Sequence, residues 1–89
     1  MMTLSIREVI LARGALKALE RVGDLGLSQE ALLSQAALES ETHLLTSVEG
    51  QALMRVLVEK RWMNCYTDPL TGVQRWWLSD EGRLALRAL

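Results

Sequence analysis

The sequence predicts a mainly α domain closed by a two-stranded β-hairpin, in the order α-α-α-β-β-α. Three observations carry this reading. Apolar residues recur at helical spacing over three successive segments before Arg61. Ser5, Ser28, Thr46 and Ser79 each stand directly ahead of a charged, periodic segment, where a side-chain oxygen caps a helix. The stretch from Leu57 to Gly82, LVEKRWMNCYTDPLTGVQRWWLSDEG, runs from helix to strand, through a turn, and back by a strand to a helix start.

Each element follows from local chemistry. Ser5-Ile6-Arg7-Glu8 is a capping-box pattern. Behind it Val9, Ala12, Leu16, Leu19 and Val22 mark a helix from about Ile6 to Val22. Gly14 inside it costs about 1 kcal/mol relative to Ala, and close approach of another backbone would explain it. Gly23-Asp24-Leu25-Gly26 is a turn. Ser28 caps a second helix, with Leu32, Leu33, Ala36 and Ala37 following and an end near Glu39 or Ser40. Thr46-Ser47-Val48-Glu49 is a second capping box and opens the third helix. Its expected buried stripe is Val48, Ala52, Leu53, Val56 and Leu57, and its expected exposed positions are Ser47, Glu49, Gln51, Arg55 and Glu59. Trp62 to Thr67 and Val73 to Leu78 are β-rich runs, joined by Asp68-Pro69-Leu70-Thr71-Gly72. Ser79 caps a last helix, with Asp80 and Glu81 where its dipole favours negative charge. One core is expected from Leu53, Leu57, Met63, Trp76 and Leu78 with Val9, Leu16 and Leu19.

Composition narrows the function classes. Eighty-nine residues make one small domain, read as 1–89, and nearly half are apolar, so the chain folds. No apolar run approaches a membrane span, and the N-terminal segment lacks the basic start and cleavage site of a signal peptide. Cys65 stands alone and cannot form an internal disulfide, which fits a reducing, cytoplasmic setting. The net charge of −1 is unevenly spread. Val22 to Met54 carries five carboxylates and no Lys or Arg, while the flanking segments are each mildly basic. His43 and Cys65 are the only residues of their kind, too few for a metal site of three or four ligands. With no phosphate-binding loop and no cleft-forming nucleophile pair, neither an enzyme nor a cofactor is expected.

The element order resembles the winged helix-turn-helix superfamily, and the tail resembles MarR-type transcriptional regulators. Leu53, Leu57, Trp62 and Met63 match the apolar positions that end the recognition helix of that family, and Leu78-Ser79-Asp80-Glu81-Gly82 matches its closing motif. The resemblance implies double-stranded DNA as partner, with the third helix in the major groove and the hairpin on the backbone. The chain departs from the pattern in four places, one of them the length of the Glu39–Leu45 connection. Arg61 replaces the Gly that closes the recognition helix in a left-handed conformation. Leu70-Thr71-Gly72 replaces the D-x-R element of the wing, leaving only Arg75 beyond it. Ala52 stands where a basic residue is common.

Two functional readings therefore stand side by side. In the first, Gln51 and Arg55 read bases, and Lys60, Arg61 and Arg75 meet phosphates. In the second, the acidic second and third helices bind a basic protein, with Glu49 and Trp77 at the contact. Adjacent strand residues face opposite ways, so Trp76 is expected inside and Trp77 outside, as a partner anchor or packed on Tyr66 or the terminal helix. Trp62 is expected as a core plug, Cys65 as a small buried strand residue and His43 as a surface loop residue. A homodimer is expected from the surplus of apolar residues at both ends: Leu4, Ile6, Ile10 and Leu11, and Leu84, Leu86 and Leu89.

Overall fold

The computed structural model describes residues 4–89; Met1–Thr3, which the single-domain reading included, lie outside them. The elements are α1 (Ile6–Val22), α2 (Gln29–Glu39), α3 (Ser47–Glu59), β1 (Met63–Thr67), β2 (Gln74–Leu78) and α4 (Asp80–Ala88), with a 3₁₀ turn over Gly23–Leu25. All four expected caps form. Ser5, Ser28, Thr46 and Ser79 each accept a hydrogen bond from the backbone N–H three residues on. At Ser5 and Thr46 the glutamate of the capping box reaches back to the cap N–H, so two orphan donors are satisfied at each start.

Two helices end on left-handed residues that are not glycine. Arg61 has φ 58° and Glu41 has φ 53°. After each, the chain closes back on its helix, through Trp62 N–H to Leu57 O at 3.0 Å and Thr42 N–H to Ala37 O at 3.1 Å. These bonds satisfy carbonyls that a helix end otherwise leaves free, and offset the roughly 1 kcal/mol of a left-handed side-chain residue.

The strands pair antiparallel in the register Met63↔Leu78 to Thr67↔Gln74. Leu27 adds a third, single-residue strand on the other edge of β2, exchanging two 2.8 Å backbone hydrogen bonds with Trp76. Gly26 makes this possible: its φ is 69°, and a Cβ there would sit 2.8 Å from the Trp76 carbonyl oxygen. A single pair leaves no periodic trace in sequence, so this strand was not expected.

The core is built from Leu11, Ala12, Ala15, Leu16 and Leu19 of α1, Leu32 and Ala36 of α2, Leu53, Met54 and Leu57 of α3, and Met63 and Leu78 of the hairpin. α1 and α2 approach closely at Gly14: a Cβ there would lie 2.9 Å from Ala36 O and 2.7 Å from Ser40 Oγ. The close approach expected at this glycine is therefore present. Arg21 and Glu39 form an ion pair between the same two helices.

Several placements correct the expected core. Val48 and Ala52 are exposed, and Gly50 and Met54 take their places in the interior. Leu33 of α2 lies against the α3 backbone at Gly50, on the side the buried stripe faces. Val9 is only half-buried, whereas Leu11, expected as surplus, is 5 % exposed. Cys65 is exposed. Trp76 points to the core side but is half-buried, and its indole N–H has no partner among the described residues. Trp62 is also half-buried against the core.

Candidate nucleic-acid interface

The outward stripe of α3 consists of Val48, Gln51, Ala52, Arg55 and Glu59. These positions recur every three or four residues, so they line one helix face. Gln51 brings an amide with paired donor and acceptor, Arg55 a guanidinium fork, and Val48 and Ala52 small apolar contacts. Beyond them Lys60 and Arg61 are exposed at the helix end, where the left-handed turn at Arg61 redirects the chain into β1. Arg55, Lys60 and Arg61 form no ion pair among the described residues.

Glu49 stands at the flank of this stripe and is occupied. Its carboxylate accepts from the Thr46 backbone N–H at 3.1 Å and pairs with the Arg7 guanidinium of α1. His43 Nε2 lies 3.5 Å from the same carboxylate. The Thr46 N–H and then Arg7 pull its pKa down to about 2, so the group is ionised at any ordinary pH. The carboxylate is thus part of the clasp between the starts of α1 and α3.

The junction that carries Lys60 and Arg61 is braced from behind. Ser79 Oγ donates to Arg61 O at 2.7 Å while accepting from Gly82 N–H at 2.9 Å. Ser79 N–H donates to Trp62 O at 3.1 Å. Gly82 lies so close that a Cβ would fall 2.0 Å from Trp62 O. The start of α4 therefore fixes the end of α3 and the root of the hairpin as one unit.

Arg75 lies elsewhere. With Trp77 and Tyr66 it lines a shallow groove of about 650 Å³ on the outer side of the hairpin, bounded by Asp24, Leu25 and Asp68. The Tyr66 and Trp77 rings meet diagonally across the strands, centroids 6.5 Å apart and tilted by 53°, so the cross-strand packing expected for Trp77 is present. Among the expected site residues, the structure groups Gln51, Arg55, Lys60 and Arg61 along α3 and its end. It separates Arg75 and Trp77 from them onto the hairpin. Val48 and Ala52 belong to the α3 face although sequence periodicity put them inside.

Among the described residues, no group of three or more His, Cys, Asp or Glu is placed to hold a metal ion, and no helix is long and apolar enough to cross a membrane.

No family model matches the sequence, and no curated protein matches it. A solved structure, the S. aureus MepR–DNA complex, is similar, with TM-score 0.58 and 21% identity over 96% of this chain and 53% of that one. The chain thus spans about half the length of that protein. The helix order, the hairpin and this likeness together establish the fold as a winged helix-turn-helix.

Proposed function

We propose that this protein binds double-stranded DNA as a small regulator of transcription and is not an enzyme, with α3 in the major groove. The observation that carries the reading is the outward face of α3. It offers Gln51 and Arg55 beside small apolar residues; Glu49 at its flank is paired with Arg7, and Glu59, one turn beyond Arg55, is the carboxylate on the face itself. Gln suits adenine, Arg suits guanine, and Val48 and Ala52 suit the thymine methyl group. Lys60 and Arg61 supply phosphate contacts at the end of the helix. Arg75 is the one cation of the hairpin and shares its groove with Asp24 and Asp68, so it contributes least. The similar fold of a protein solved in a DNA complex supports the same reading. A homodimer pairing two such helices would draw on the apolar side chains still exposed on α1 and α4, namely Ile6, Ile10 and Leu84.

The test is a salt-dependent titration with random duplex DNA, starting at about 50 mM, where phosphate attraction is strong. Binding should weaken steeply with salt. Lys60→Ala should lower the salt slope by about one unit, and Arg55→Ala should relax preference at one base pair. Replacing thymine by uracil in a selected site should weaken the wild type more than it weakens Val48→Ser. Absence of any duplex binding at the lowest salt would refute the reading.

A further inference from the structure

The charges near the hairpin run against a wing that follows phosphates. Asp24 and Asp68 border its outer groove, and Glu30 borders the opposite side together with Thr67 and Val73. Against these three carboxylates stands one cation, Arg75, and none of the four forms an ion pair among the described residues. On α3 and its end the balance is reversed, with Arg55, Lys60 and Arg61 against Glu59. The hairpin and the recognition helix therefore present surfaces of opposite character.

The outer groove also holds most of the aromatic surface that the core does not use. Tyr66 is 50% exposed, and Leu25, on the 3₁₀ turn beside it, is 77% exposed. The Trp77 indole is half-buried, packs against Tyr66 and lines the groove. Aromatic rings attract cations over their faces, and adjacent carboxylates add to that attraction. A large aromatic ring at the centre of a polar-rimmed depression is also the usual anchor of a protein contact.

From this we infer that the outer face of the hairpin, centred on Trp77 and Tyr66 and bordered by Asp24 and Asp68, docks a basic peptide segment of a partner protein. A lysine or arginine side chain lies along the aromatic pair, with its head between the two carboxylates. This surface replaces the acidic face of α2 and α3 as the place for a basic partner, because Glu49 is already engaged by Arg7.

The experiment uses the whole chain and a fluorescein-labelled peptide of alternating Gly and Arg, with a Gly–Glu peptide of equal length as control. Binding is read by anisotropy, and the site by the three tryptophan indole N–H signals in a ¹H–¹⁵N spectrum, which also reports folding. The Gly–Arg peptide should bind and shift the Trp77 indole more than those of Trp62 and Trp76. Trp77→Ala should weaken binding by about tenfold, and Trp77→Phe by less. The double variant Asp24→Asn, Asp68→Asn should weaken it comparably; Asn at 68 keeps the acceptor for Leu70 N–H. Arg75→Ala should tighten it, by removing a like charge. Duplex DNA affinity, measured in parallel, should be unchanged by Trp77→Ala, which separates failure here from failure of the DNA reading. The inference is overturned if the Gly–Glu peptide binds equally or if Trp77→Ala leaves peptide affinity intact. It is also overturned if Arg75→Ala weakens binding while oligo-dT displaces the peptide, which would make the face a nucleic-acid platform. Concentration-dependent self-association lost in Trp77→Ala would assign the face to a second copy of the chain and overturn it as well.

Discussion

Replacing Gly82 by Ala opposes helix propensity to packing, and the two predict opposite signs. Gly82 lies in the first turn of α4, where Ala is favoured over Gly by up to about 1 kcal/mol. A Cβ at this position would sit 2.0 Å from Trp62 O and 2.9 Å from its carbonyl carbon, and 2.8 Å from Leu78 Cδ1. The Leu side chain can turn away, but the Trp62 carbonyl is backbone. Restoring an ordinary contact of 3.4 Å moves α4 from the α3–β1 junction by about 1.4 Å. That movement disrupts Ser79 N–H to Trp62 O and Ser79 O–H to Arg61 O, each worth about 1 kcal/mol. Strain in the surrounding core adds roughly 1–3 kcal/mol. The net expectation is a destabilisation of about 2–4 kcal/mol. Urea denaturation followed by circular dichroism measures it. Two other glycines calibrate the result. Gly14→Ala meets Ala36 O at 2.9 Å and should destabilise by less, while Gly50→Ala meets only the movable end of Leu33 and should be close to neutral. A midpoint for Gly82→Ala at or above that of the wild type would refute the packing argument.

Other perturbations test separate parts of the structure. Leu57 is fully buried, and Leu57→Ala should cost about 2–5 kcal/mol in the same denaturation assay; an unchanged midpoint would place the α3 stripe wrongly. Ser79→Ala removes both the α4 cap and the donor to Arg61 O from a site only 4% exposed, so about 2 kcal/mol is expected, more than a surface cap alone gives. Glu49 has a folded pKa of about 2 against an ordinary 4.5, so its stabilisation is complete above about pH 4.5 and is lost as the pH falls from there through about 2. The stability difference between wild type and Glu49→Gln should therefore narrow with acid below pH 4.5, and a difference independent of pH would remove the Arg7–Glu49 clasp as its source.

The sequence by itself determined the elements and their ends. Caps at Ser5, Ser28, Thr46 and Ser79 work within one helical turn, so the three following residues already contain the whole interaction. The hairpin loop around Pro69 and Gly72 is equally local and was legible, whereas Arg61 carries no local sign of the left-handed turn, which the structure decided. The exposed Gln51 and Arg55 followed from helix phase. Only the tertiary structure decided which side of each element meets a neighbour. Val48 and Ala52 were apolar enough for a core, but α3 meets Leu33 at Gly50 and leaves them exposed to solvent. Leu27 became a strand because β2 had a free edge beside Gly26. Glu49 was drawn out of the reading surface by Arg7, forty-two residues away in the chain, and Arg75 shares a groove with Asp24 of the 3₁₀ turn and Asp68 of the hairpin loop. Hydropathy and spacing describe one segment at a time, whereas burial and charge pairing depend on which distant segment arrives beside it.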